Sequence, residues 1–545
     1  MSNLLEQILI SRGYETPSEQ ERFLNPQYED LHDPMLLAGM DVGVERILAG
    51  IERGEKMAIY GDYDIDGLSA TALLLDGLAA MGADIVPYIP DRFEEGYGIN
   101  TQALKSLQDK GVELVITVDC GSVSFEPLEW AAKSGLDVIV TDHHEPATDL
   151  PQAVAIINPK RHDCQYPFAD LAGVGVAFKL VQGLQLKAQD KRSSAYEGLP
   201  LGQEKWLLDL VALGTVCDVV SLRDENRILV TYGLRVFRRT RRVGLAMLAS
   251  VAGLELEDIA AHHFGFVLGP RLNAAGRLEH ARQALDLFTA EDEDQARTIA
   301  EGLDELNAER RYQQDIIYDM ALAQAQEQHD RPVLVLSHPE WSHGIVGIVA
   351  AKILERFHKP TIVLQEVDSQ AKGSARSLGG FSMVEGLRAA DDLLDKYGGH
   401  HVAAGCQLPL KRIPELRDRL QAYYEENGFG DLEEKPQVDV WLKDLSMLSE
   451  QEYYRLEQLA PFGMGNPRPV LSMENAQVMQ ARSVGDGGLH LKAKLSDGAR
   501  TFDGIGFGLG YRLAELGDSA NIWFDLDMNH YNGRSSLQFK LKAIE

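Results

Sequence analysis

Residues 56–67 read KMAIYGDYDIDG, an apolar run of strand type that stops at a glycine and then delivers Asp62, Asp64 and Asp66 at alternate positions. The following LSATALLLDGLAAMG has helical periodicity, so the aspartates stand at a strand-to-helix turn. The same texture recurs downstream. DIVPYIP (84–90), ELVITVD (113–119), LDVIVTD (136–142) and AVAIINP (153–159) are short runs rich in Val and Ile, with TQALKSLQDKG and FEPLEWAAKSG as helices between them. Strands alternating with helices predict a parallel sheet covered on both faces.

In such a sheet the strand ends converge on one crevice at the carboxyl edge. Asp62, Asp64 and Asp66 follow the first strand, Asp119 ends the third, and Asp142, His143 and His144 end the fourth. Carboxylates at that density repel one another and take up protons unless cations neutralise them. A set of carboxylates with imidazole suits Mn²⁺ or Mg²⁺. Two such ions about 3.5–4 Å apart can clamp a phosphodiester. Each piece alone has a plainer reading. D-x-D-x-D-G is also a calcium-loop pattern, although the terminal Glu is missing and the flanks are strand and helix. A strand-end Asp such as Asp119 is often a helix N-cap. Converging on one sheet edge, the three segments predict a two-metal phosphoesterase.

The remainder of the chain predicts several further cores, as its 545 residues require. Residues 171–254 are helical in pattern, and 291–330 form a polar helical stretch interrupted only by Gly302. A second α/β unit begins at PVLVLSH and contains the glycine-rich GSARSLGGFS and YGGHHVAAG; after about Asn427 short alternating runs predict a small barrel of OB type. The expected division is an N-terminal extension (1–50), a catalytic α/β domain (51–280), a connecting helix (281–330), a smaller α/β domain (331–428) and an OB-like barrel (429–545). Trp523, Phe524, Tyr531 and Phe539 are candidates for stacking on bases, or else belong to the barrel core.

A net charge of −30 argues against a nucleic-acid partner until the carboxylate cluster is counted with its metals. Footprints are also local: Arg235, Arg238, Arg239, Arg241 and Arg242 form one basic run, which is either a phosphate contact or a solvated helix face. The four cysteines are scattered with no C-x-x-C pair, and no long apolar stretch or leader is evident, so a reduced cytoplasmic setting is expected.

GDYDIDG, VDCGS, TDHH, GTVCDVV and GGHHVAAG together resemble the DHH phosphoesterase superfamily with its C-terminal associated domain. The order of segments is similar to RecJ-type single-strand-specific 5′→3′ DNA exonucleases. The likeness runs from ERFLNPQYEDLHDP (21–34), through GPRLNAAGRL (269–278), to PFGMGNPRP (461–469). It implies that Asp64 and Asp66 each hold one metal, that Asp119 bridges, and that His143 and Asp218 are ligands. His144 falls closer to metal or substrate phosphate, and Asp142 supports an imidazole. Asp62 stands where distant relatives use a histidine, and its coordination is left open. In the associated domain Ser374, Arg376, Gly399 and His400 are the implied phosphate contacts, with Arg271, Asn273 and Arg277 as further ones. One departure is visible: Trp341 is followed by Ser342, with His343 one place later, where many members have the histidine directly. The implied activity is release of 5′-mononucleotides from single-stranded DNA in repair and recombination, by a monomer working beside a single-strand-binding protein and a helicase. A phosphodiesterase acting on short oligonucleotides or cyclic dinucleotides is the enzymatic alternative, and a non-catalytic DNA-binding relative is the other.

Overall fold

The computed structural model describes residues 3–91, 95–96, 98–430, 435–531 and 534–545. The chain folds as two compact units, one of residues 1–269, 285–297 and 435–545, the other of residues 270–284 and 298–434.

In the first unit, β1 (Lys56–Gly61), β2 (Asp84–Tyr88), β3 (Leu114–Val118), β4 (Asp137–Thr141) and β5 (Ala155–Ile157) form an all-parallel sheet in the order β2-β1-β3-β4-β5. The central strands are buried apart from the first residues of β1 and β4, as continuous Val/Ile runs covered on both faces require. Helix Ile65–Ala80 leaves β1, and helices Gly173–Asp190 and Leu208–Cys217 pack on it.

The same unit carries a barrel. Its strands are β11 (Val440–Leu442), β12 (Leu471–Val484), β13 (His490–Ser496), β14 (Thr501–Gly506), β15 (Ser519–Tyr531) and β16 (Arg534–Ile544). β12-β13-β14-β16-β15 close on themselves through the β12–β15 pairing, which removes sheet edges, and β11 adds parallel to β12. Leu4, Leu5, Ile8 and Leu9 of helix Leu4–Ser11 share the barrel's hydrophobic core with Leu442, Leu459, Phe524 and Phe539. The stacking candidates divide accordingly. Phe524 and Phe539 are buried and stacked on each other at 4.0 Å, and Trp523 is buried too, so these three are core; the Tyr531 side chain lies outside the described residues.

In the second unit, β6 (Leu334–His338), β7 (Thr361–Val367), β8 (Gln370–Arg376), β9 (Lys396–Gly399) and β10 (Ala403–Pro409) form a mixed sheet in the order β6-β7-β8-β10-β9. The glycine-rich GSARS and YGG segments are thus strand, antiparallel to their neighbours apart from the β6–β7 pair. The helix Glu293–Glu327, which enters this unit, runs through Gly302 unbroken.

Arg12 ties the N-terminal helix to the barrel. Its Nε and Nη2 donate to the two carboxylate oxygens of Asp439 at 2.7 and 3.1 Å, and its Nη1 donates to Asn466 Oδ1 at 2.7 Å. Both side chains are largely buried, 8% and 12% exposed. Arg12→Ala leaves Asp439 buried without its cation, and the expected loss is about 3 kcal/mol in the denaturant-induced transition of the barrel. In the Arg12→Ala/Asp439→Ala pair the loss should be smaller than the sum of the single variants; additive losses would show that the pair is not coupled.

Candidate metal centre

The turn after β1 is built to crowd carboxylates. Asp64 caps helix Ile65–Ala80, its Oδ1 accepting from Gly67 N at 3.0 Å, so here the N-cap is Asp64 rather than Asp119. Gly67 must lack a side chain, because a Cβ there would stand 2.7 Å from the backbone N and O of Asp62. Asp66, in the first turn of the helix, is buried and accepts from Gly173 N at 2.6 Å and Val174 N at 2.8 Å. Those are the first N–H groups of helix Gly173–Asp190, where the helix dipole favours a carboxylate.

Asp119 leaves β3 with φ of +62°, a left-handed conformation that few non-glycine residues adopt. Its N–H donates to Thr141 O at 3.0 Å, which ties it to β4. Gly173 makes room for it, since a Cβ at 173 would stand 2.7 Å from Asp119 Cβ. At the end of β4, Asp142 Oδ1 accepts from His143 N at 2.7 Å and His144 N at 3.0 Å, and lies 2.8 Å from His144 Nδ1. Asp142 Oδ2 accepts from Ser122 N at 2.9 Å, and Asn158 Nδ2 bridges Ser122 Oγ and His144 O. Asp218 stands at the C-terminus of helix Leu208–Cys217.

These segments converge. His143 Nε2 lies 3.1 Å from Asp119 Oδ1, 3.5 Å from Asp218 Oδ2 and 3.8 Å from Asp66 Oδ2. Three overlapping triads have donor atoms within 4.8 Å of one another: Asp119, His143 and His144; Asp66, His143 and Asp218; and Asp62, Asp64 and Asp119. The structure therefore brings Asp62, Asp64, Asp66, Asp119, His143, His144 and Asp218 into one cluster, Asp62 included.

The electrostatics follow from burial and like charge. Burial, then the neighbouring carboxylates, push Asp66, Asp119 and Asp218 well above the usual carboxylate range. Burial pushes His143 down to about 3, so its imidazole is neutral and able to ligate a cation. Burial opposes ionisation of Asp142 as well, but its hydrogen bonds with His144 and Ser122 hold it below the usual range. Asp142 raises His144 in turn, against the opposing effect of burial. His143 Nε2 and Asp218 Oδ2 are buried with no hydrogen-bond partner. An excess of oxygen donors, a neutral imidazole and buried atoms without partners fit divalent cations of the Mn²⁺ or Mg²⁺ type.

The implied phosphate contacts belong to the second unit. Ser374 on β8 lines a cavity of about 380 Å³ together with His343, Lys372, Lys396 and Tyr397. Arg376, also on β8, donates Nη1 to Ala375 O at 2.9 Å, and burial lowers its pKa. Gly399 ends β9, and exposed His400 donates its N–H to Ala403 O at 2.7 Å. In helix Gly269–Leu278, Asn273 is half-buried, Arg271 Nε pairs with Asp304 at 2.9 Å and Arg277 Nη1 donates to Gly344 O at 3.0 Å. Trp341 is core, whereas His343 reaches the Ser374 cavity. Within the basic run, Arg242 braces Asp76 and Asp209, while Arg235, Arg238, Arg239 and Arg241 are exposed, with Arg238 donating to Ile259 O and Arg235 and Arg241 lying over the Tyr232 and Trp206 rings.

Sequence reading missed the N–H donors of Gly173 and Val174, the Ser122–Asn158 support of the DHH turn, and Lys372 and Lys396 beside Ser374. The glycines of GVG at the start of helix Gly173–Asp190 were the only local signal for the first of these.

Comparison with known proteins agrees with the domain architecture. Residues 56–215 match the DHH family N-terminal domain, 330–426 the DHHA1 domain, and 438–543 the RecJ OB domain. The single-stranded-DNA-specific exonuclease RecJ of Bacillus subtilis is 38% identical over 548 residues, covering 99% of this chain and 67% of the relative. The structure of RecJ from Thermus thermophilus in complex with Mn²⁺ superposes with a TM-score of 0.82 at 31% identity, over 99% of this chain and 75% of that one. The Mg²⁺ complex of the same protein gives 0.77 at 29% identity, over 99% and 74%. With the DHH, DHHA1 and RecJ OB domains all matched, and RecJ relatives aligned over 99% of its length, the chain belongs to the RecJ family of single-stranded-DNA-specific exonucleases.

Proposed function

We propose that this chain is a metal-dependent exodeoxyribonuclease that hydrolyses single-stranded DNA from the 5′ end and releases 5′-mononucleotides. The observation that carries the reading is the clustering of five aspartates at the carboxyl edge of a parallel sheet, three of them within 3.8 Å of a neutral His143. Asp62, Asp64, Asp66, Asp119, His143 and Asp218 are the residues that would hold two divalent ions, Mn²⁺ or Mg²⁺. When bound, these ions supply Lewis acidity toward the scissile phosphate and the attacking water. The chain's own groups set the geometry. Gly173 and Val174 N–H orient both oxygens of Asp66, and the strained turn at Asp119 aims its carboxylate at His143. His144, held by Asp142, presents its imidazole beside Asp119, placed to donate to a phosphate oxygen. Ser374, Arg376 and His400 are the substrate-phosphate contacts, aided by Arg271, Asn273 and Arg277. Repair and recombination, beside a single-strand-binding protein and a helicase in the cytoplasm, are the setting we assign. Among the described residues no helix is long and apolar enough to cross a membrane.

Digestion of single strands labelled at either end, DNA and RNA in parallel with Mn²⁺ or Mg²⁺, tests the reading. The 5′ label should appear in mononucleotide before the 3′ label is lost, and RNA should survive; early release of the 3′ label overturns the polarity. Asp119→Ala should abolish Mn²⁺-dependent hydrolysis while the circular dichroism spectrum stays unchanged. Undiminished turnover would sink the metal assignment.

The raised carboxyls also make stability depend on pH in a defined direction. Asp66 and Asp218 sit at about 7 and about 9 in the folded chain, against 3.8 ordinarily. Between those values the folded chain binds more protons than the unfolded one, so the cluster's contribution to stability falls as pH rises. In EDTA the melting temperature should drop from pH 6 to pH 8, and less steeply in Asp218→Asn. Added Mn²⁺ should raise it more at pH 8 than at pH 6, since protons compete for the ligands. A Mn²⁺ effect that shrinks with rising pH would contradict the assignment.

A further inference from the structure

Two exposed apolar side chains flank the segment that carries Asp218. Phe266 is 82% exposed and Val219 is 58% exposed. Both sit on irregular backbone. Phe264–Leu268 is a turn of π-helix, a geometry that is rare and concentrated at functional sites. Val219, directly after Asp218, has φ of +62°, which β-branched residues avoid.

The π-turn is seated on the framework of the metal cluster. Phe264 is buried against Phe237 with ring centroids 4.8 Å apart, and its carbonyl accepts from Cys217 Sγ at 3.5 Å. At the other end, Gly269 comes so close that a Cβ would stand 3.0 Å from Cys217 Sγ and 3.4 Å from Ile65 Cδ1. Cys217 precedes Asp218, and Ile65 lies between Asp64 and Asp66. Both ends of the turn are thus pinned to the two segments that supply cluster carboxylates, and Phe266, between the pins, faces outward.

We propose that Phe266 is a stacking platform for a nucleobase of the strand whose phosphate lies at the metal cluster. The inference rests on the exonuclease reading given above. A benzene ring has no donor or acceptor, so it holds any base by its π-face without reading sequence, as a nuclease that degrades whatever strand it is given requires. Exposing so large an apolar side chain is unfavourable in the free protein, and a stacked base removes that ring from water. Phe266 is a positioning residue: it touches the substrate's base and no reacting atom.

The test compares a 5′-phosphorylated oligonucleotide with the same strand carrying abasic residues at its leading positions, in saturating Mn²⁺. For the base-bearing strand, Phe266→Ala should raise KM about tenfold, the typical effect of losing one base–aromatic stack, with kcat little changed. For the abasic strand it should change neither. Phe266→Trp should restore KM and Phe266→Leu should not. Equal loss on both strands, or full rescue by leucine, overturns the proposal, the latter in favour of a simple apolar docking surface. Fluorescence of Phe266→Trp, read against wild type, decides the stacking without hydrolysis: quenching by the base-bearing strand alone supports it, and equal quenching or none overturns it. Wild-type protein that cleaves neither strand is a separate result, which would sink the exonuclease reading while the fluorescence still decides the stacking.

Discussion

Repulsion among buried carboxylates governs the catalytic unit. Asp62, Asp66 and Asp119 are buried, Asp64 and Asp218 lie beside them, and the nearest imidazole, His143, is held neutral by the same burial. Left alone, such a cluster relieves itself by taking up protons. The fold offers partial compensation: the start of helix Gly173–Asp190 for Asp66, and the Gly67 N–H for Asp64. It stops short of neutrality, since these acids share the uncharged imidazole of His143 and a single raised imidazole, His144, 3.7 Å from Asp119. What remains is a charge deficit shaped for small divalent cations, so metal binding and the ordering of this edge are one equilibrium.

Crowding the ligands demands empty space elsewhere. Gly67, Gly173 and Gly214 each sit where a Cβ would strike Asp62, Asp119 or Asp66 within about 3 Å. The motif glycines therefore serve close packing around the carboxylates, and only secondarily turn geometry. Asp142 shows the complementary arrangement. It accepts from His143 N, His144 N and Ser122 N, stays ionised, and holds the two histidines.

The barrel and the chain's first helix are a single folding problem. A closed sheet this small leaves part of its core uncovered, and helix Leu4–Ser11 supplies the cover. Arg227 reinforces the join from the catalytic side, donating to the carbonyls of Phe23, Leu459 and Ala460 while its guanidinium stacks on the Phe23 ring. The metal cluster and the barrel thereby share one compact unit.

Local pattern determined the parallel sheet, the barrel and the core of the carboxylate–histidine cluster, whereas Asp218 entered through the family resemblance. Strand runs carry their own signature, and parallel topology sends every strand's carboxyl end to the same edge, so Asp62–Asp66, Asp119 and His143 could be placed together without coordinates. Tertiary structure decided the rest. The glycine-rich GSARS and YGG segments have weak strand propensity, and only pairing, with β7 and β10 for β8 and with β10 for β9, makes strands of them. Alternation could not say whether Phe524 and Phe539 face in or out, because a period of two has no inside until the barrel closes. The donors to Asp66 lie more than a hundred residues away in sequence, and the N-terminal helix meets a barrel more than four hundred residues on. Such contacts leave no periodic trace along the chain, since they depend on how finished elements pack rather than on what makes each element form.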